Sequence, residues 1–350
     1  MSTLTVATWN IQAIRGASDD KVKRIASALE RHMPDVVLLQ EVSTEGDLPQ
    51  RLSAALKGLF LRFSVVSPAT EIRRADGRRK AYASAVFSRW PAEPLPWTEV
   101  FPWPQLVASA RLTVPGAGLT AVSVHAPNGS GNGWDKVRTL EALHAGLATL
   151  DGPVVVGGDF NEPRTFEPFL ESFRALPGGA TEGVWTDKFG ETDSRARWQL
   201  AVEQIMGPAD ARPPGAWVGE FATRATGTGI EATHVVSGNK PRCFDHILVS
   251  PPVVPTRVDY DHAVRLGDGA CSDHSIVLAE VESTAVASER TDLVGAVDTP
   301  NGRISWTDGP LTDGTRVFLD RSIDGRRVTR ELLLGSMIAH TNGALIRYLP

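Results

Sequence analysis

Short apolar runs alternate with amphipathic stretches along most of the chain. Leu4 to Trp9 is an apolar run that ends on Asn10. Val22, Ile25, Ala26 and Leu29 then recur at helical spacing, which predicts a helix over about 19–33 with Asp19 as its N-cap. Val36-Val37-Leu38-Leu39 is continuous and apolar, as in a strand buried on both faces, and it ends on Gln40-Glu41. A second helix is predicted over about 48–59. Strands follow at 62–67, 83–88, 106–114 and 119–124, the last ending on His125. Val137, Leu140, Leu143 and Leu147 share one face of a helix predicted over about 134–150. Val154-Val155-Val156 is another buried strand, and it runs into Gly157-Gly158-Asp159-Phe160-Asn161.

Beyond it the pattern predicts helices near 166–175 and 194–206, separated from later strands by a Pro/Gly-rich stretch. Those strands fall at about 243–249, 253–263 and Ile276–Val281. A small, polar spacer at Ala285–Thr291 then divides the chain into a domain of residues 1–284 and a small β-rich module of residues 285–350. In that module Asp324-Gly325 separates two strand-like runs, a hairpin signal. The module also carries Arg321, Arg326, Arg327 and Arg330, and it resembles no family.

Composition narrows the class. The chain has 350 residues, 42% hydrophobic and 22% charged, which is globular usage and excludes wholesale disorder. At about 150 residues per domain, the length allows two domains. With 32 Gly and 24 Pro, turns and short strands are expected over a helical bundle. No apolar run of ~18 residues predicts a membrane-spanning helix. The N-terminal residues carry no basic, apolar leader pattern, and the two cysteines, Cys243 and Cys271, exclude a disulfide scaffold. A cytoplasmic, non-membrane protein is the expectation. A net charge of −5 speaks against non-specific coating of nucleic acid, but not against an enzyme that grips a few phosphates.

The candidate chemistry lies where apolar strands end: Asn10, Glu41, His125, Asp159, Asn161 and Asp245-His246, with Asp273-His274 opening the last strand. Strand ends hold side chains rigidly while adjoining loops reach substrate. Carboxylates, carboxamides and imidazoles without a cysteine cluster suit hard divalent cations such as Mg²⁺, Mn²⁺ or Ca²⁺. With histidines and aspartates nearby, such an ion equips a site for phosphoester hydrolysis.

Taken in order, Trp9-Asn10-Ile11-Gln12, Leu39-Gln40-Glu41, Val124-His125-Ala126-Pro127-Asn128-Gly129, Gly158-Asp159-Phe160-Asn161, Phe244-Asp245-His246-Ile247 and Ser272-Asp273-His274 resemble the endonuclease/exonuclease/phosphatase superfamily. The resemblance covers about residues 1–284. It implies an α/β fold, a four-layer sandwich of two packed, mainly antiparallel sheets flanked by helices. It also implies a role for each matching residue. Glu41 would be the principal ligand of Mg²⁺ or Mn²⁺, with Asn10 beside it and Asp273 near the metal. Asp159 would orient or deprotonate the attacking water, and Asn161 would hold the phosphate or the nucleophile. His274 would contact the scissile phosphate and act as acid or base, His125 would be the second histidine on the phosphate, and Asp245 would fix a catalytic histidine's tautomer. Which histidine is acid and which is base stays open. His125 resembles the deoxyribonuclease I and phosphatase branches, whereas Pro127-Asn128-Gly129 and Lys136 resemble exonuclease III-type enzymes, which usually carry Tyr at the position of His125.

The substrate expected first is nucleic acid, DNA or RNA. Arg73, Arg74, Arg78, Arg79 and Lys80 form a basic loop that can meet phosphates, and Tyr82 beside it can stack on a base or ribose. Arg164 and Asn128 are further candidates for phosphate contact, Asn128 at the head of a glycine-rich loop, and His234 is a candidate to line the cleft. His246 is expected to pack beside Asp245, and His144 to lie on a helix surface. Two other readings are the same chemistry on a small or lipid phosphate, and a non-catalytic binding scaffold.

Overall fold

The computed structural model describes residues 3–13, 17–68, 81–97, 101–114, 117–150, 152–164, 194–206, 219–220, 231–236, 240–250, 253–267, 269–283, 295–299, 302–306, 316–323 and 326–333. The chain divides into two compact units, Met1–Ala287 and Ser288–Pro350. In chain order the first unit contains β1 (Thr3–Ala13), α1 (Asp19–Glu30), β2 (Val36–Ser43), α2 (Leu48–Lys57), β3 (Phe63–Val66), β4 (Tyr82–Ser88), β5 (Ala92–Pro94), β6 (Val107–Val114) and β7 (Ala117–His125). It continues with α3 (Gly129–Leu147), β8 (Val154–Arg164), α4 (Ser194–Met206), β9 (Gly219–Glu220), β10 (His234–Val236), β11 (Lys240–Val249), β12 (Val253–Asp261) and β13 (Ile276–Ser283).

One sheet runs β12-β13-β1-β2-β4-β3. The other runs β10-β11-β8-β7-β6-β5, with β9 also pairing β11. The neighbours β1/β2 and β7/β8 are parallel and the other pairs antiparallel, so both sheets are mixed. Side-chain alternation builds three apolar layers from these strands. Val6, Val36, Leu38 and Val155 face the gap between the sheets. Ala7, Val37 and Leu39 turn the other way, under Ile25 and Leu29 of α1 and Leu52 and Leu56 of α2. Val154 and Val156 meet Val137, Leu140 and Leu143 of α3 and Trp198 and Ile205 of α4. The result is a four-layer α/β sandwich. Both faces of each central strand are covered, which is why those runs are continuously apolar.

Local differences from the sequence expectation have simple causes. The N-cap of α1 is Ser18, one residue before Asp19, because its hydroxyl accepts the Lys21 N–H at 3.2 Å. Asp19 and Asp20 instead occupy the first turn, where their charge suits the helix dipole. Gly129–Gly133, expected as a loop, begins α3. Glycine lowers helix propensity but does not forbid a helix whose apolar face is packed further along. The expected helix near 166–175 and the loop carrying Arg73 to Lys80 lie outside the described residues.

Two glycines let the layers close. A Cβ on Gly157 would lie 2.7 Å from Leu38 Cδ1 across the sheet gap, and one on Gly158 only 1.8 Å from the carbonyl oxygen of Val124 on β7. The second unit is a four-stranded antiparallel meander of β14 (Gly295–Thr299), β15 (Gly302–Trp306), β16 (Arg316–Ile323) and β17 (Arg326–Leu333). β16 and β17 pair on either side of the expected Asp324-Gly325 turn, which lies outside the described residues. Among the described residues no helix is long and apolar enough to cross a membrane.

Candidate active site

Adjacent strands deliver the polar residues to one place. Asp159 on β8 is in register with His125 on β7 to one side and Asp245 on β11 to the other. Asn10 pairs Gln40 on the facing sheet, one residue before Glu41. The strands are irregular where they reach the site: the register shifts between Asn10 and Ala13, between Leu39 and Val42, and between Cys243 and Asp245. Such bulges re-aim side chains. Gln12, Glu41 and Asn161 have φ of +48°, +56° and +49°, a left-handed backbone that costs a non-glycine residue about 1–3 kcal/mol. The other two described non-glycine residues with positive φ, Met33 and Phe60, lie just past α1 and α2.

Asp159 is the hub. Its Oδ2 accepts from Asn10 Nδ2 at 3.0 Å, and its Oδ1 accepts from the Asn161 backbone N–H at 2.8 Å. The same Oδ2 lies 3.7 Å from His125 Nε2 and 3.7 Å from His274 Nε2. His274 Nδ1 meets Asp245 Oδ2 at 2.8 Å, so the buried carboxylate fixes the ring with Nδ1 protonated and Nε2 turned towards Asp159. His125 Nε2 is 3.9 Å from Glu41 Oε1. Asn161 Nδ2 donates to the Ala126 carbonyl at 2.9 Å, tying β8 to the end of β7. Lys136 of α3 is buried, donates to the Asn161 carbonyl at 2.7 Å and pairs with Glu162.

On the other side Asp273 is partly exposed. Its Oδ1 lies 4.0 Å from His274 Nε2, and its Oδ2 accepts from Gln12 Nε2 at 2.9 Å. Gln12 also donates its backbone N–H to Asn10 Oδ1 at 3.0 Å, and so links Asn10 with Asp273. His234 stacks on His274 with ring centroids 4.4 Å apart. Tyr82 is buried with Trp103 and Leu106, its ring 5.8 Å from that of His125, so it meets the histidine and not solvent. Asn128 is exposed just past β7, and the Arg164 backbone ends β8. Arg79 and Lys80 are outside the described residues. His246 points to the opposite face of β11 from Asp245, with Nε2 3.2 Å from the Cys243 carbonyl and its ring edge-on to Phe160. His32 and His262 pair with Asp261 and Glu231. His144 is half-buried near the end of α3.

Of the supporting residues, Ser272 and Gln40 lie within the motifs quoted above, whereas Thr233 lies outside them. Thr233 is buried, and its Oγ1 accepts the N–H groups of Phe244 and Asp245 at 3.0 and 3.2 Å, across the irregularity in β11. Ser272 Oγ donates to the Asn10 carbonyl at 2.6 Å and accepts the His274 N–H at 3.1 Å. The Gln40 side chain bridges the sheets, donating to Leu38 O and Ser123 Oγ at 2.9 and 3.0 Å.

Burial and charge set the protonation pattern. His274 is pushed up to about 10: burial opposes its charge, but the carboxylates of Asp245, Asp159 and Asp273 outweigh it. Asp159 is held below the usual carboxylate range, since the His274 and His125 imidazoles and the bonds from Asn10 and Asn161 overcome the effect of burial. Burial pushes Asp245 and Glu41 up, against the pull of His274 and His125 respectively. The folded value of His274 exceeds its reference of 6.5. The stability that the charged ring contributes is therefore full below about pH 6.5 and is lost as pH rises through about 10. Urea unfolding in EDTA should show the gap between the wild-type chain and His274→Gln shrinking across that interval. A gap that stays constant with pH would mean the folded ring carries no such charge.

The donor chemistry fits a divalent cation. Glu41 and Asp159 offer carboxylate oxygens and Asn10 an amide oxygen, and the desolvated Glu41 carboxylate is short of compensating positive charge. Asp159, Asp245 and His274 form one group whose donor atoms lie within 4.8 Å of one another, and His234, Asp273 and His274 form another. The oxygen donors of Glu41, Asp159 and Asn10 are the set that suits a hard ion.

Solved structures share this fold. A structure of an endonuclease/exonuclease/phosphatase from Beutenbergia cavernae is similar with a TM-score of 0.54 and 18% identity, covering 95% of this chain and 89% of that one. The 3'-5' exonuclease NExo from Neisseria meningitidis is similar with a TM-score of 0.55 and 18% identity, over 80% of this chain and 100% of that one. ANGEL2, a 2',3'-cyclic phosphatase solved with adenosine-2',3'-vanadate, is similar with a TM-score of 0.53 and 17% identity, over 80% of this chain and 95% of that one. At these identities the likeness is one of fold. No curated protein matches the chain by sequence. The model of the Endonuclease/Exonuclease/phosphatase family, whose members hydrolyse phosphoester bonds, matches residues 7–274. The chain belongs to the endonuclease/exonuclease/phosphatase family.

Proposed function

We propose that the chain is a phosphodiesterase that hydrolyses nucleic-acid phosphodiester bonds with the aid of Mg²⁺ or Mn²⁺. The observation that carries this reading is the Asp159 hub, an ionised carboxylate with two imidazole Nε2 atoms at 3.7 Å and an aspartate behind one of them. Asp159 orients the attacking water and takes its proton. His274, kept cationic by Asp245, presents Nε2 to a phosphoryl oxygen and stabilises the charge that develops there. His125 faces the same phosphate from β7. Asn10 and Asn161 hold the hub in orientation through their bonds to it. Glu41, with Asn10 and Asp273 nearby, would hold the cation, which supplies charge neutralisation at the phosphoryl and leaving oxygens when bound.

Nucleic acid is favoured because the basic run Arg73–Lys80 ends two residues before Tyr82, and Tyr82 lies against His125. Arg79, Lys80, Asn128 and Arg164 are assigned as phosphate contacts on this reading. The test is hydrolysis of plasmid DNA, single-stranded DNA, RNA, inositol phosphates and sphingomyelin, each with Mg²⁺, Mn²⁺ or EDTA. Cleavage of DNA or RNA that EDTA abolishes is the expected result. Turnover of the small or lipid phosphates alone would replace the substrate assignment. No turnover of any substrate, with no Mg²⁺ or Mn²⁺ binding by calorimetry, would leave a binding scaffold.

A further inference from the structure

The Asp245 hydrogen bond anchors His274 at one ring atom, Nδ1. One anchored atom leaves the plane of an imidazole free to tilt, and tilt moves Nε2, the atom that faces Asp159. A second constraint is visible on the ring face. His234 lies against His274 with centroids 4.4 Å apart and planes 23° apart, and Phe244 backs His234 at 5.7 Å and 28°. His234 thus makes ring contacts with both His274 and Phe244.

The strap that carries His234 is itself pinned on both sides of the site. Thr233 accepts two N–H groups of β11, including that of Asp245, and its carbonyl accepts the Ser275 N–H at 2.8 Å, next to His274. His234 Nδ1 lies 3.1 Å from the Asp273 carbonyl, and His234 pairs with Arg242 of β11 in the sheet register. Ala232 accepts from Arg265 at 3.1 Å. A short segment distant in sequence thus latches Asp245, Asp273 and His274 together and sets one ring on the face of another.

We propose that His234 is a positioning residue that acts through its π-face. It fixes the plane of His274 and so the aim of Nε2 at the phosphoryl oxygen, with Thr233 holding the strap in place. The inference rests on the phosphoester reading of the site and adds a residue to it. Small errors in the aim of a reacting group matter here, since a misplacement of about 1 Å can lower a rate by about 10²-fold.

Two substitutions separate the π-face from the Nδ1 contact. His234→Phe keeps a flat ring but loses the bond to the Asp273 carbonyl. His234→Asn keeps a donor near the Nδ1 position but loses the ring. On the preferred substrate, His234→Phe is expected to stay within about threefold of wild-type kcat, while His234→Asn and His234→Ala lose about tenfold in kcat with KM nearly unchanged. In ¹⁵N-histidine spectra without metal, the His274 Nδ1–H signal should remain sharp in His234→Phe and exchange faster with water in His234→Asn. Thermal unfolding of each variant checks that it folds. The proposal is overturned if Phe is as poor as Ala, as a metal-ligand role would require. A rise in KM at constant kcat, the signature of a substrate contact, overturns it too. So does a His274 signal that is the same in all the variants. The spectra decide the question even if the chain hydrolyses none of the substrates above, so the two readings can fail separately.

Discussion

Asp159→Ala is expected to lower phosphodiester hydrolysis by at least about 10³-fold, the scale of removing a group that acts only in the transition state. The size reflects how many groups converge on one carboxylate. Oδ2 faces both imidazoles at 3.7 Å and is bound by Asn10, while Oδ1 receives the Asn161 N–H. Truncation removes the proposed base, leaves Asn10 Nδ2 without its acceptor and takes the facing carboxylate from both rings. Asp159→Asn is the sharper variant. It keeps the shape but cannot take a proton, and it should fall nearly as far. His274→Ala should lose a comparable factor, and the double variant should lose little more, because groups that act as one unit are not additive. Steady-state rates with circular-dichroism spectra of each variant make the comparison. Turnover of Asp159→Asn near the wild-type rate would remove Asp159 from the role of base.

The second large effect concerns stability. Gly158→Ala is expected to destabilise the fold by about 4 kcal/mol or more, at the level reserved for a forced clash in a packed core. The added Cβ would meet the Val124 carbonyl oxygen at 1.8 Å, the carbonyl carbon at 2.7 Å and the amide nitrogen at 3.0 Å. All three are backbone atoms of the parallel partner strand, whose pairing also sets His125 opposite Asp159. Relief therefore requires β7 and β8 to part. Gly157→Ala offers the contrast. There the contacts are side-chain atoms, Leu38 Cδ1 at 2.7 Å and Thr8 Cβ at 3.1 Å, which can give more than a backbone can, so a smaller cost of about 1–3 kcal/mol is expected. Urea midpoints of the two variants test the ranking, and equal midpoints would refute it.

The order of the candidate residues is readable in the chain because each ends or opens an apolar run. Val154-Val155-Val156 announces a strand buried on both faces; the sequence reads as if Asp159 and Asn161 end it, whereas β8 continues to Arg164 and carries both within it. Asn10, Glu41, His125, Asp159, Asp245 and His274 are visible by that rule, and their order carries the family resemblance. Periodicity also locates α1, α2 and α4, and it locates α3 except for its glycine-rich first turns. Residues such as Thr233, Gln12 and Ser272 escape it. A lone threonine before a histidine, or a glutamine in a strand bulge, has the same local pattern whether it supports a site or a turn.

The order of residues thus specifies the apolar strands, the chemistry at their ends and the family. Which of those groups meet is a property of the folded chain. Asp245 is next to His246 in the chain, yet neighbours on a strand face opposite ways, and its partner is His274, which a separate sheet brings up. His234 comes to rest on His274 through a strap held by backbone bonds between segments far apart in sequence. Local pattern encodes which face of a strand is apolar. Contacts between distant segments depend on how the two sheets close, and that is set by the packing of the whole core, down to the absence of a side chain at Gly158.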